Sequence, residues 1–191
     1  MSHNFLWNAN FHSLLKAIDQ DLATQVQQEG CPECGHKLHQ ANYPRSPVGM
    51  PLHFRYYYDE RLSFCCEMCR GRMTPASVRF FGRRWYPGPL FILISVFIRE
   101  VTESLLRQIK GYFGILITAS TLKRWQQWWC ERFSTTLFWK QAKGLVPPLD
   151  PDLHRSFPRA LLDLFQGKLE ERTCSLLKFI SPLTRGGLQA F

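Results

Sequence analysis

Four cysteines in two C-x-x-C pairs are the residues of this chain with the clearest chemistry: Cys31 with Cys34, and Cys66 with Cys69. A C-x-x-C turn places two thiolates on one side of an ion, and four thiolates complete the tetrahedral shell that Zn2+ prefers. Residues 35–65 separate the pairs and are enough to form the hairpins of a zinc ribbon. Because four thiolates leave no position for water, we predict a structural Zn2+ site.

Three neighbouring residues could also act as ligands. Alternation along the strand predicted at 62–66 puts Cys65 on the face opposite Cys66, and only Cys66 has the spacing of a C-x-x-C partner. His36 and His39 could each replace a cysteine, and they remain alternatives. A redox role for the pairs is disfavoured, because neither pair opens a helix after a strand.

The segment 102–133 has the pattern of a helix-turn-helix, although its predicted turn is longer than the tightest ones. In the second helix, over 120–133, Leu122, Trp125 and Trp129 fall on one face and are expected to pack inward. Polar residues early in such a helix reach base edges and phosphates. An ordinary amphipathic helix pair in a bundle is the alternative. The candidate DNA-binding residues are Thr121, Lys123, Arg124 and Gln127, and Trp128 is also predicted to point away from the inner face.

A stretch of basic and aromatic residues without an acid runs from Arg70 to Tyr86. Arginines contact phosphates, and aromatic side chains stack on bases or enter a core. The alternative is a solvated β-hairpin whose aromatic side chains dock on helices. The arginines predicted to contact DNA are Arg70, Arg72, Arg79, Arg83 and Arg84, and the aromatic residues among them are Phe80, Phe81, Trp85 and Tyr86.

Four segments are predicted to position these residues in an α+β fold. They are an amphipathic helix in 1–30, a zinc ribbon with a basic β extension in 31–86, a helical, helix-turn-helix-like unit in 87–143, and a linker with short helices in 144–191. Hydrophobic periodicity and turn residues predict the elements within them. We expect strands at 54–58 and 62–66, a loop at 42–51, a buried helix at 90–98, a helix at 102–113, and tail helices at 158–165 and 169–180.

The charge of the chain favours a polyanionic partner. Its 191 residues carry 24 Lys and Arg against 15 Asp and Glu, a formal net charge of +9. Such a balance is typical of nucleic-acid binding, with double-stranded DNA as the expected partner here. We expect no membrane partner, because the longest apolar run, 90–98, is too short to span a bilayer. The absence of a secretory signal and the paired cysteines predict a cytoplasmic, nucleoid-associated bacterial protein.

Three sequence stretches resemble the head of zinc-ribbon-containing insertion-sequence transposases and small transposase-like proteins of bacterial mobile elements. They are CPECG at the first cysteine pair, CEMCRGRMTPASVRF from the second pair onward, and STLKRWQQWW in the predicted recognition helix. The resemblance covers roughly residues 30–133. It implies an accessory or regulatory DNA-binding factor in transposition or recombination, with a transposase or recombinase encoded nearby as a further partner. A non-catalytic zinc-ribbon adaptor that binds another protein is the alternative.

The chain departs from those transposases in lacking a visible catalytic domain. Such enzymes cut DNA with three carboxylates that hold two metal ions. Residues 134–191 are too few for that domain, and their acidic residues do not lie on apolar strands. We therefore expect no enzymatic activity and no small-molecule substrate. The acidic residues in question are Asp150, Asp152, Asp163, Glu170 and Glu171.

Overall fold

The computed structural model combines helices with small antiparallel sheets, which confirms the predicted α+β class. Contacts divide the described residues into two compact units: those up to 88 together with 178–185, and those from 89 to 177. The residues described are 4–47, 49, 52–81, 86–147 and 156–185.

Helix α1 (Ala9–Glu29) is the longest element of the first unit. The Asn8 side chain caps it by accepting a hydrogen bond from the Asn10 backbone N–H at 2.9 Å. The helix ends at Gly30, whose φ of +78° is a conformation that favours glycine. The inward face of the helix includes Phe11 and Leu15, as expected for an amphipathic helix.

The described part of this unit also contains three small antiparallel sheets. The largest has the order β1–β4–β5, with Leu38 opposite Cys66 and Phe64 opposite Met73. In the others, β2 pairs with β3 and β6 with β7. The strands are β1 (Leu38–Gln40), β2 (Tyr43–Pro44), β3 (Glu60–Arg61), β4 (Phe64–Cys66), β5 (Arg72–Met73), β6 (Phe80–Phe81) and β7 (Tyr86–Pro87).

The strand predicted at 54–58 is wrong. Residues Leu52–Tyr57 form a 3-10 helix instead. With three residues per turn, this helix places Phe54 and Tyr57 on one side, and both are buried near His12 of α1. The predicted loop 42–51 contains strand β2, and its residues 48, 50 and 51 lie outside the described residues.

A buried carboxylate connects α1 to the segment before β6. Asp19 Oδ2 accepts hydrogen bonds from Ser77 Oγ at 2.6 Å and from Arg79 Nε at 2.8 Å. Asp19 Oδ1 accepts a bond from the Val78 backbone N–H at 2.7 Å. The Ser77 backbone N–H donates to Thr184 Oγ1 at 2.7 Å, so the returning C-terminal segment joins the same network. Both carboxylate oxygens of Asp19 are thereby satisfied.

The cationic partner in this network is equally enclosed. Arg79 is 1% exposed, and its guanidinium also donates to the backbone carbonyls of Tyr57 and, at 3.3 Å, of Glu60. A buried guanidinium needs both a counter-ion and acceptors for its remaining hydrogens. Asp19 and the two carbonyls provide them, so Arg79 holds α1, the 3-10 helix and β3 in place.

The second unit is helical around an aromatic core. Phe91 of α2 packs edge-on against Trp125 at 5.0 Å between ring centroids and stacks on Trp129 at 5.6 Å. The buried helix predicted at 90–98 and both predicted tail helices are present. No helix within the described ranges is long and apolar enough to cross a membrane. The helices are α2 (Gly88–Phe97), α3 (Glu103–Phe113), α4 (Ala119–Gln127), α5 (Leu137–Ala142), α6 (Arg159–Asp163) and α7 (Leu169–Ile180), whose last residues belong to the first unit.

We predict that Asp19→Asn strongly destabilises the first unit, because it leaves the Arg79 charge buried without a counter-ion. Breaking such a pair costs about 3–5 kcal/mol of the free energy of unfolding. Asp21→Asn is the matched control: Asp21 lies on the same helix but is exposed, so its change should stay within about 0.5 kcal/mol. Urea unfolding followed by far-ultraviolet circular dichroism measures both. Equal effects of the two substitutions would contradict the prediction.

Candidate metal centre and nucleic-acid interface

The first cysteine pair forms a tight turn directly after α1. The Gly35 backbone N–H donates to the Cys31 carbonyl at 2.7 Å, and the Cys31 N–H donates to the His36 carbonyl at 3.0 Å. Gly35 has a φ of +71°, which explains why glycine follows the pair. These bonds turn the thiols of Cys31 and Cys34 toward the same side.

The second pair builds the same kind of turn with different residues. The Cys66 backbone N–H donates to the Gly71 carbonyl at 3.0 Å. The residue after the pair, Arg70, takes the left-handed conformation with a φ of +60°, where the first turn has glycine. A Cβ at Gly71 would lie 3.3 Å from Cys69 Sγ, a tight contact that the thiol would have to relieve by shifting a few tenths of an ångström.

The two turns bring all four thiols together. Cys31 Sγ lies 3.6 Å from Cys69 Sγ, and Cys34 Sγ lies 3.4 Å from Cys66 Sγ. All four sulfur atoms lie within 4.8 Å of one another. These separations are too long for disulfides and close to the roughly 3.8 Å between sulfurs of a tetrahedral thiolate shell with ~2.3 Å metal–sulfur bonds. The four cysteines can therefore hold one metal ion, as predicted.

The backbone around the site favours a thiolate at Cys66. Burial raises the pKa of this thiol, but hydrogen bonds from the Cys69 and Met68 backbone and from the Cys34 thiol outweigh burial and lower the pKa to about 6. At Cys69 a backbone hydrogen bond with Gly71 lowers the pKa, but hydrogen bonds with the Cys31 and Cys66 thiols outweigh it and raise that pKa to about 12. Metal ligands have to be thiolates, so binding an ion at this cluster would release protons.

The three competing ligands lie outside the sulfur cluster. Cys65 Sγ hydrogen-bonds the Arg70 carbonyl at 3.5 Å, on the face opposite Cys66 as predicted. His36 Nδ1 lies 2.9 Å from the Cys34 carbonyl. His39 Nε2 lies 3.0 Å from a carboxylate oxygen of Glu67. Neither histidine is among the residues grouped around the site.

Helices α3 and α4 are joined through a turn with well-defined caps. Thr102 caps α3 by accepting a bond from the Leu105 N–H at 3.2 Å, and α3 ends where Gly114 takes a φ of +66°. Thr118 caps α4 by accepting a bond from the Thr121 N–H at 3.3 Å. These caps define both ends of α3 and the start of α4. The helix predicted over 120–133 is α-helical only to Gln127 and continues as a π-helix over Trp128–Arg132.

The exposed face of α4 is polar and basic. Lys123, Arg124 and Gln127 are exposed, whereas Leu122 and Trp125 are buried as expected. Arg124 Nη2 donates to Thr121 Oγ1 at 3.2 Å, and Gln127 Nε2 donates to Glu131 Oε2 at 2.9 Å. Steps of three and four residues place 120, 123, 124, 127 and 131 on one continuous face.

The predictions that two residues of this segment point away from the core are wrong. Thr121 is buried and takes part in the cap with Thr118, so its hydroxyl is not available for DNA. Trp128 is buried beside Trp129. Both residues lie three or four positions from Trp125, and the apolar stripe of a packed helix is wide enough to include them.

The arginines of the basic stretch have different environments. Arg70 and Arg72 are exposed, and Arg72 Nη1 donates to the Ala41 carbonyl at 3.3 Å. The predicted DNA contact at Arg79 is wrong, because this side chain is buried in the ion pair with Asp19. Arg83 and Arg84 lie outside the described residues, as does Trp85.

Sequence reasoning missed two basic residues on the first helix of the pair. Arg107 and Lys110 of α3 are exposed, while Leu105 and Ile109 are buried. Exposed cations of this kind are available to a polyanionic partner. The spacing of the apolar residues along α3 could have identified these two cations, because it predicts which face of the helix is buried and which is exposed.

The acidic residues that the structure describes in the tail are not gathered around a metal position. Asp163 forms an ion pair with Arg172, and Glu171 accepts a bond from the Lys168 backbone N–H at 2.9 Å. Asp150 and Asp152 lie outside the described residues. Among the described residues, the four cysteines are the group of ligands whose donor atoms converge.

Comparisons with protein-family models, curated proteins and solved structures find no match for this chain. Its function is therefore argued from its own residues.

We predict that Cys66→Ser lowers the bound metal from about one ion per chain to a small fraction and destabilises the first unit, because one ligand of the closed shell is lost. Cys65→Ser is the matched control, because the thiol of this neighbouring cysteine hydrogen-bonds the Cys66 and Arg70 backbone carbonyls and lies outside the four-sulfur cluster. Elemental analysis and thermal unfolding measure the two effects. Retention of metal by the Cys66 variant, or its loss from the Cys65 variant alone, would contradict the ligand assignment.

Proposed function

We propose that this chain is a zinc-containing protein that binds double-stranded DNA through helix α4. The observation that carries the proposal is the separation of the two faces of this helix. Leu122 and Trp125 are buried, while Lys123, Arg124 and Gln127 form a continuous exposed face. A helix anchored on one side and basic on the other is the part of a helix-turn-helix that enters the major groove.

The exposed side chains of α4 have distinct expected roles. Lys123 and Arg124 supply cations that contact phosphates or the acceptors of guanine. Gln127 keeps one amide hydrogen and its carbonyl oxygen free of Glu131, and this donor and acceptor suit the edge of adenine. Exposed Arg107 and Lys110 on α3 would add contacts to the DNA backbone.

The metal in this proposal is zinc in a structural role. Four thiolates in a closed tetrahedral arrangement are typical of structural zinc sites. The residues that would hold the ion are Cys31, Cys34, Cys66 and Cys69, and its bound charge would fix the two turns relative to each other. The chemistry of DNA binding would then come from exposed side chains, with no catalytic step.

Arg70 supports a second DNA contact, beside the metal centre. It occupies a left-handed conformation that costs a non-glycine residue about 1–2 kcal/mol. Glycine occupies the corresponding position of the first turn at no such cost. Strained residues concentrate at functional sites, and exposed Arg70 offers a cation for phosphate.

The setting in a mobile genetic element rests on the three sequence stretches that resemble transposase heads. In that setting the protein would act as an accessory or regulatory factor for a transposase or recombinase encoded nearby, in the bacterial cytoplasm and associated with the nucleoid. Sequencing the neighbouring genes tests this part of the proposal independently of DNA binding.

A non-catalytic adaptor is the second candidate function, because apolar side chains are exposed near the turn between α3 and α4. Leu116 is 77% exposed and Tyr112 is 67% exposed. Exposed apolar residues close together can mark a protein-binding surface. A measurement of binding to duplex DNA at several salt concentrations distinguishes the two functions. A DNA-binding protein binds the duplex with an affinity that falls steeply as salt rises, whereas an adaptor does not.

We predict that replacing Lys123 and Arg124 together with alanine weakens binding to duplex DNA at least 10-fold and leaves the fold intact, because both side chains are exposed. If each contacts a phosphate, the slope of log K against log salt should fall by about 1.8 in magnitude. Fluorescence anisotropy at several salt concentrations, with circular dichroism as the folding check, measures both effects.

The double variant Lys140→Ala, Lys143→Ala is the matched control. It removes the same charge from two other exposed lysines of the second unit. We expect it to change DNA affinity much less than the α4 variant does. Equal losses in the two double variants would show that only net charge matters, and unchanged binding by the α4 variant would favour the adaptor.

We predict that Arg70→Gly weakens DNA binding several-fold but keeps the metal and raises the free energy of unfolding by up to about 1 kcal/mol, because glycine accepts the left-handed conformation. Arg70→Lys is the control that retains the charge, and it should bind DNA nearly as well as the parent. Anisotropy, elemental analysis and urea unfolding measure the three properties. Parental DNA affinity in the glycine variant would remove Arg70 from the proposed interface.

A further inference from the structure

The second unit contains a cavity that the DNA-binding proposal does not use. Its volume is about 440 Å3, within the range of pockets that hold small molecules. Ser95 comes from α2, and Gln126 and Trp129 come from α4 and the π-helical turn that follows it. Phe157 and Arg159 line the cavity near the start of α6. Arg99 lines it from the segment that follows α2.

The charge of the cavity is positive. Arg99 and Arg159 both line it and are exposed, and none of the described residues that line it is acidic. Within the described part of the chain, neither guanidinium has a carboxylate at ion-pair distance. Two arginines that line one concave site and have no carboxylate partner among the described residues suit a carboxylate or phosphate, which a guanidinium binds with two parallel hydrogen bonds.

The wall that carries Arg99 is fixed to α4. Gln126 Nε2 donates to the Arg99 carbonyl at 3.0 Å, which ties the chain after α2 to this helix. The position of Arg99 therefore depends on the packed core of the unit and not on a loose loop.

The other walls favour a flat, partly apolar molecule. Trp129 and Phe157 are large aromatic residues buried beside the cavity. Ser95 Oγ and Trp129 Nε1 are buried and have no hydrogen-bond partner among the described residues. Buried polar atoms usually have partners, so a polar ligand in this cavity would account for these two exceptions.

We propose that this cavity binds a small organic oxyanion, a carboxylate or phosphate attached to a flat apolar body. Arg99 and Arg159 bind the charged group, and Trp129 and Phe157 contact the flat body. The cavity does not include Lys123, Arg124 or Gln127, so this inference does not depend on the proposed DNA interface. Such a ligand is bound and not converted.

Phenyl phosphate, benzoate and the neutral benzyl alcohol are the probes that test the proposal on the full chain. Isothermal titration calorimetry is expected to show one binding site for phenyl phosphate or benzoate. The probe that binds more tightly shows whether the site prefers a phosphate or a carboxylate. Benzyl alcohol should bind at least 10-fold more weakly. Amide chemical shifts in the titrated protein should change first at Ser95, Gln126 and Phe157.

The double variant Arg99→Gln, Arg159→Gln should bind the oxyanion at least 10-fold more weakly, with an unchanged thermal unfolding midpoint because both residues are exposed. Arg132→Gln is the matched control, an exposed arginine of the same unit outside the cavity, and should leave binding unchanged.

Three outcomes would overturn the proposal: no binding of either oxyanion, equal binding by the double variant, or shift changes confined to residues outside the cavity. If the double variant loses affinity for duplex DNA while phenyl phosphate and benzoate fail to bind the parent, the two arginines serve DNA and the small-molecule site is wrong. Loss of DNA binding in the α4 variant leaves this proposal unaffected.

Discussion

The buried ion pair between Asp19 and Arg79 is the interaction on which the first unit depends. Moving both charges out of water costs several kcal/mol each, and their attraction compensates only if the remaining hydrogen-bonding groups are satisfied. Here the carboxylate accepts three bonds and the guanidinium donates to two backbone carbonyls. Helix α1, the 3-10 helix and β6 must therefore adopt their positions together. Displacing one of them would expose a charge of the network to solvent or leave it buried without a partner.

The metal centre supplies the second constraint that this unit needs. Its three sheets consist of strands of two or three residues, which are too short to be stable alone. Four thiolates around one ion would join the turn after α1 to the β4–β5 hairpin, and the free energy of metal binding would then be folding free energy. The ion pair and the metal act at different places in the unit, so each fixes elements that the other does not contact directly.

Local sequence signals predicted the parts of the fold that local physics determines. The cysteine spacing identified the four cysteines whose thiols converge, and hydrophobic periodicity and turn residues predicted a helix at 102–113, close to the bounds of α3. The predictions that were wrong depend on distant residues. Arg79 could be placed inside only by knowing that Asp19 faces it, and the 3-10 helix at 52–57 forms where its aromatic residues pack on α1. Trp128 is different, because the spacing from Trp125 already indicated that it faces inward. For the cavity, sequence gave no indication that Arg99 and Arg159 lie together.

The net charge of the chain overstates the cationic surface available to a partner. Of the positive residues in the first unit, Arg79 is paired inside and Arg61 is buried against the Pro75 and Thr184 carbonyls, where desolvation lowers the pKa of its guanidinium. These two arginines add to the formal charge of +9 but present no hydrogen-bond donors to a polyanion. Any contact with DNA would have to come from cations that the fold leaves exposed, and Lys123 and Arg124 of α4 are among them. The spatial arrangement of a few exposed side chains, and not the total charge, therefore determines whether this protein can bind DNA in a defined orientation.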